Sequence, residues 1–176
     1  MPYSVVLHLD KTTDDLVTAF WDELAKKDRS NFYYIYAKRR PHITLLSYWQ
    51  TDLKRALETI EGYIHQAENL ELLFETTGIF LTGPAKLSWL PTPSLALIRL
   101  HNQLFKRFQL FSSDLVIPFY QPERWVPHLG LAINLRDREI LQFFVKTSLI
   151  LPQKHTARIT KISLEEHESS QTLNTF

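Results

Sequence analysis

The feature that most constrains this chain is a short frame written twice. Pro41-His42-Ile43-Thr44-Leu45-Leu46 returns, 86 residues on, as Pro127-His128-Leu129-Gly130-Leu131-Ala132. Each proline disfavours helix in the residue before it and leaves the next segment extended, so each copy is expected to open a β-strand. On a strand, residues i and i+2 project to the same side. His42 and Thr44 therefore point out together, and so do His128 and position 130. Each copy is followed by a helix and belongs to one half of the chain, which implies two lobes related by a pseudo-twofold. If the copies lie on neighbouring central strands, two imidazoles converge on one cleft. Histidine titrates near neutrality, and neighbours can push two pKa values apart, so such a pair can serve as base and acid. A hydroxyl two residues on can donate to a phosphate oxygen.

Composition narrows what else the chain can be. Its 176 residues make one domain of ordinary size, and 44% hydrophobic residues supply a core without external staples. Cysteine is absent, which excludes disulfides, Cys-ligated zinc, iron–sulfur clusters and thiol nucleophiles. The four glycines (62, 78, 83 and 130) form neither a G-x-G nor a G-x-x-x-x-G-K frame, so P-loop and dinucleotide cradles are excluded. A net charge of +1 is far from that of a bulk duplex binder. Any phosphate must be handled by side chains. The N-terminus lacks a basic n-region, and its apolar run is too short for a signal peptide or span; a soluble cytoplasmic protein is expected, without a membrane partner.

Along the chain, Tyr3–Leu9 reads as a first strand, and Thr12-Thr13-Asp14-Asp15 as the cap and acidic first turn of a helix carrying Leu16, Phe20 and Leu24. His42–Tyr48 is a second strand. Thr51 is expected to cap a helix with the stripe Leu53, Leu57, Ile60, Ile64 and Ala67. Strands follow at Leu70–Glu75, Gly78–Leu81 and Lys86–Leu90, the last two separated by a Gly83-Pro84 turn. Ser94 opens a helix carrying Leu97, Ile98, His101, Leu104, Phe105 and Phe108; His128–Ile133 is a strand, Asp137 opens a helix to about Val145, and Ala157–Leu164 is the last strand. The polar tail after Glu168 is expected to fray. This is a mixed α and β domain spanning residues 1–176, with no linker inside it.

A metal centre would need a third ligand beside His42 and His128. His8 is the nearest candidate, and its apolar surroundings mark it as a core or rim histidine; no metal or cofactor is expected. His101, on the apolar stripe of its helix, reads as a satisfied core histidine, and His65, His155 and His167 show no partner pattern.

The two H-x-T/S-like tetrads resemble those of the two-histidine (2H) phosphoesterases, whose members include the RNA 2′,3′-cyclic phosphodiesterases also called 2′-5′ RNA ligases. The likeness runs beyond the motifs. Tyr3–Leu9 fits the first strand, Leu70 to Leu90 with Gly78, Phe80 and Trp89 the strand run between the motifs, Ser94–Phe108 the helix after it, and Arg124-Trp125-Val126-Pro127 the approach to the second motif. The resemblance implies an α+β, bilobal fold, with two pseudo-twofold-related lobes whose antiparallel-rich sheets line a central cleft and whose helices lie outside. It also implies a metal-independent cyclic phosphodiesterase in which His42 and His128 are catalytic, one deprotonating water and the other protonating the leaving ribose oxygen, while Thr44 holds the non-bridging oxygens. The product in the family is usually a 2′-phosphate.

Two departures weaken the second motif. Glycine stands at 130 where the family has Thr or Ser, and Ile133 stands where many members carry Arg. A lost hydrogen bond to a charged oxygen is worth roughly 1.5–3 kcal/mol, about one to two orders of magnitude in rate; glycine's open backbone, approached by a water or an N–H, can offset part of it. Slowed turnover is expected. Substrate contacts are assigned to Thr44, Gly130, Arg40, Arg124 and Trp125, since cations and an aromatic beside the catalytic strands suit a single-stranded RNA 3′ end or a small cyclic nucleotide. Lys38, Arg39 and Arg40 read equally as a solvated loop, and Trp125 also as a hydrophobic anchor. Tyr33, Tyr34, Tyr36, Phe119 and Tyr120 are rim stackers or packing residues. A monomer is expected. The competing function is a catalytically weakened binder of RNA ends or nucleotides, favoured by Gly130 and Ile133.

Overall fold

The computed structural model of the chain describes residues 2–25, 40–80, 85–115, 118–135, 145, 149–166 and 172–175. Strand β1 (Tyr3–Leu9) leads into helix α1 (Lys11–Ala25). The cap of α1 is Asp10, ahead of the expected Thr12–Asp15 segment. Its carboxylate accepts the Thr13 N–H at 2.9 Å and the Arg158 N–H at 2.6 Å, fixing the strand end and the helix start with one side chain. β2 (His42–Thr51) runs through Thr51, so the next cap is Asp52, which accepts the Arg55 N–H. The stripe from Leu53 to Ala67 is expected as one helix but divides at Gly62 into α2 (Leu53–Glu61) and α3 (Ile64–Glu68).

β3 (Glu71–Phe80) joins two expected strands, with a register shift between Phe74 and Thr76 against β4 (Ala85–Pro91). That bulge reverses the face periodicity, which makes one bent strand read as two. Ser94 caps α4 (Leu95–Phe108) as expected. A short β5 (Ser112–Leu115) and a 3₁₀ turn at Pro118–Tyr120 have no clear sequence signal. β6 (Leu129–Leu135) and β7 (His155–Glu166) follow. The expected frayed tail is corrected in part, because Thr172–Thr175 forms β8 and pairs with β7. The Gly83-Pro84 turn and nearly all of the helix expected from Asp137 lie outside the described residues.

All the strand pairs are antiparallel. The order is β1-β2-β6-β4-β3-β7-β8, with β5 on β2, and β1 also pairs with β7. Six strands thus close a ring, in which β1, β2 and β7 form one group and β3, β4 and β6 the other. The groups meet at two seams, and they are not the two halves of the sequence: β7 comes from the C-terminal half yet sits beside β1. One seam, β3–β7, holds four residue pairs from Glu71↔Arg158 to Phe74↔His155. The other, β2–β6, holds the single pair Ile43↔Leu129.

The apolar faces of the strands form one core with the helices. Phe20 and Trp21 of α1 and Leu97, Leu100, Leu104 and Phe108 of α4 join Leu7, Ile43, Leu87, Trp89, Leu129 and Ile162. The other face is polar. On β1, Val5, Leu7 and Leu9 alternate with Ser4 and His8, and on β7, Ile162 and Leu164 alternate with Ser163 and Glu165. A buried face lined by Ser4, His8, Ser47, Ser163 and Glu165 is costly unless its groups are satisfied. It is the face that carries the repeated motif.

Candidate active site

The pair Ile43↔Leu129 sets the geometry of the site. In an antiparallel ladder it places His42 across from Gly130, and Thr44 across from His128, all four on the face opposite to the buried Ile43 and Leu129. An antiparallel pair has a local twofold through its midpoint, which here exchanges His42 with His128 and Thr44 with Gly130. The pseudo-twofold expected from the repeated frame is that axis. The histidines are diagonal neighbours, a relation that separates backbones by about 7–8 Å and leaves long side chains in reach of each other.

Both imidazoles are held in the same way. His42 Nδ1 lies 2.8 Å from the carbonyl oxygen of Arg40, and His128 Nδ1 lies 2.9 Å from that of Val126. A carbonyl only accepts, so each Nδ1 carries the proton and donates it, and each neutral ring has its lone pair at Nε2. The residue two before each histidine therefore sets its tautomer.

Their surroundings differ. The His128 ring sits 4.8 Å from Phe80 and 5.7 Å from Phe119, and these two rings meet edge to face at 5.3 Å. Burial in this aromatic box pushes the His128 pKa down, although its bond to Val126 opposes the shift; the charges of Lys86 and His42 push it down further. The ring is biased toward the neutral form that accepts a proton. On the other strand, the carbonyl that orients His42 belongs to Arg40, whose side chain is bound. Its Nε donates to Asp14 Oδ2 at 2.7 Å and its Nη2 to the Leu9 carbonyl at 3.1 Å.

The remaining expected contacts fall in different places. Thr44 lies on the motif face, half-buried, and its carbonyl accepts the indole N–H of Trp125 at 3.1 Å. Trp125 is only 6% exposed, and its ring stacks on His101 at 4.0 Å and 1°. Of the two roles expected for Trp125, the anchor describes its position: both its N–H and its stacking face are already engaged. His101 is fully buried, as expected: its Nδ1 is 3.4 Å from Asn102 Oδ1, the backbone of Tyr120 and Leu45 borders the ring, and the Trp125 stack covers its face. Gly130 lies on β6, its carbonyl accepting the Trp21 indole N–H at 3.2 Å. Arg124 is exposed beside Trp125. Lys38, Arg39, Tyr33, Tyr34 and Tyr36 lie outside the described residues.

His8 is directly across from His42 on β1. Its Nε2 is 2.8 Å from Ser163 Oγ and 3.3 Å from Glu165 Oε1, so the ring turns toward β7. Among the described residues no three His, Cys, Asp or Glu side chains cluster as a metal site. Sequence reasoning did not foresee the aromatic box, because Phe80 lies 48 residues from His128. The tie between Arg40 and Asp14 was equally hidden.

The chain belongs to the 2′-5′ RNA ligase superfamily, whose family model matches residues 13–171, and so to the 2H phosphoesterases. Three solved structures of Escherichia coli LigT share its fold. The apo form is 14% identical with a TM-score of 0.57, the match covering 99% of this chain and 94% of that one. The 3′-AMP complex is 12% identical with a TM-score of 0.54, and the NADP+ complex 13% identical with 0.55; each match covers 99% of this chain and 93% of the other. No curated protein matches the sequence. Among the described residues no helix is long and apolar enough to cross a membrane.

Proposed function

We propose that the protein is a metal-independent phosphoesterase that opens a 2′,3′-cyclic phosphate, or a 2′-5′ linkage, on RNA ends or small nucleotides. The observation that carries this reading is the diagonal pair of imidazoles, each fixed by its own backbone carbonyl with Nε2 as the reactive nitrogen. Family membership supports the reaction class, and the LigT structures with 3′-AMP and NADP+ support a nucleotide ligand.

His128, kept neutral by its aromatic box, accepts the proton of the attacking water at Nε2 as the water oxygen bonds to phosphorus. The P–O3′ bond breaks, and protonated His42 delivers its Nε2 proton to the leaving oxygen, giving a 2′-phosphate. A charge on His42 lowers the His128 pKa, so one proton divides between the two rings as acid and base catalysis requires. Thr44, across from His128, holds a non-bridging oxygen. We read the active form as a cytoplasmic monomer built as one domain.

The second reading, a binder without turnover, rests on Gly130. Incubation with a 2′,3′-cyclic nucleotide and with a cyclic-phosphate-ended oligonucleotide, in EDTA, separates the two. Hydrolysis that survives chelation is the expected result; tight binding with no product assigns the protein to the second reading.

A further inference from the structure

Position 133 on β6 is apolar, and nothing on that strand offers a phosphate a cation. The register of β4 against β6 shows where one can come from. Ser88 pairs with Gly130 and Leu87 with Ala132, so Leu131 is bulged out between them. A second register shift, between Ala85 and Leu87, sets Lys86 against the Ile133–Asn134 stretch of β6. Lys86, Ser88 and Leu90 alternate with the buried Leu87 and Trp89, so Lys86 lies on the motif face. It also pairs with Phe80 of β3, the residue whose ring covers His128.

Three further facts separate Lys86 from an ordinary surface lysine. Its charge acts on His128. It is exposed, and no carboxylate pairs with it among the described residues. Of the other cations, Arg40 is bound to Asp14, Lys161 lies on β7 across from His8, and Arg124 is exposed beside Trp125. Ser88, though directly across from Gly130, is 1% exposed and cannot itself grip a ligand.

We propose that Lys86, reaching from β4, is the phosphate-binding cation of this site, taking the place that Ile133 leaves unfilled on β6. The inference rests on the phosphoesterase reading and adds a specificity residue to it. A flexible ammonium contributes charge without the forked geometry of a guanidinium, so the grip tolerates different phosphate orientations at the cost of precision.

The test uses the full chain and titrates 2′-AMP against adenosine by calorimetry, with a thermal melt to confirm folding. Lys86→Met is expected to weaken 2′-AMP binding about tenfold to a hundredfold and to leave adenosine binding unchanged. The variant also raises the pH of the acidic inflection in turnover, because a positive charge near His128 is gone. Lys86→Arg retains binding, and adding Ile133→Arg to Lys86→Met restores it. Equal 2′-AMP affinity in wild type and Lys86→Met overturns the proposal while leaving the phosphoesterase reading intact. A wild-type protein that binds 2′-AMP no better than adenosine removes both, and that failure is recognisable because it precedes any substitution.

Discussion

The two motif strands reach the same geometry by different means. On β2, the carbonyl that sets the tautomer of His42 belongs to Arg40, and a hydrogen-bonded ion pair to Asp14 with a second bond to Leu9 holds that residue in place. On β6, the carbonyl belongs to exposed Val126, and its neighbour Trp125 supplies the anchor, stacked on His101 and bonded to Thr44 of the other strand. One histidine is positioned by charge at the start of a helix, the other by aromatic packing in the core. The first motif keeps its hydroxyl, and the second has lost its own to glycine while gaining an aromatic box. The local twofold constrains where the imidazoles stand, whereas each side holds its own ring by different contacts.

The largest expected effect treats the two sides alike. Replacing either His42 or His128 with Ala removes an acid or base step and should lower turnover about 10²–10⁴-fold; full activity in either variant breaks the pairing. The next effect separates them. Trp125→Ala truncates a buried anchor and should cost about 3–5 kcal/mol in urea unfolding, whereas Asp14→Asn, at the margin of the other motif, should cost well under half of that. Equal losses would erase the distinction between packing and charge.

A smaller effect follows from pH. Burial lowers the folded-state pKa of His101, and its hydrogen bonds oppose the shift only in part. The unfolded chain then binds the proton more readily, so stability is fully present above about pH 6.5 and falls as the pH drops below it. His128 acts in the same direction. His101→Phe, which keeps the stack on Trp125, should flatten the acid side of the stability curve without moving the acidic inflection of turnover, which belongs to His128. The smallest change expected is a gain: Gly130→Thr, restoring the twofold partner of Thr44, should raise turnover by up to about tenfold.

How much of this was legible in the sequence follows from the range of the interactions. The repeated Pro-His frame is local, and alternation on a strand is enough to put His42 with Thr44 and His128 with Gly130. The Ser94 cap is equally local. The pairing of the two motifs depends on Ile43 meeting Leu129, and no spacing rule specifies which strands become neighbours. Arg40 reads as a substrate cation because its sequence neighbours are Lys38 and Arg39; its bond to Asp14, 26 residues away on α1, has no local signal. Phe80 and Lys86 join the site through strand register, which a single bulge can shift. What the sequence hid is mostly the second layer, where residues distant in the chain hold or tune those that carry the motif.

The most direct test of the central claim, that both imidazoles address one phosphate, is nitrogen-15 NMR of the histidine rings during titration with 2′-AMP. In the free protein, His42 and His128 should both show a protonated Nδ1 and an unprotonated Nε2 above neutral pH. One equivalent of 2′-AMP should then move the Nε2 signals of both rings together, along a single binding curve. A response confined to one ring, or two curves with different midpoints, would contradict the account.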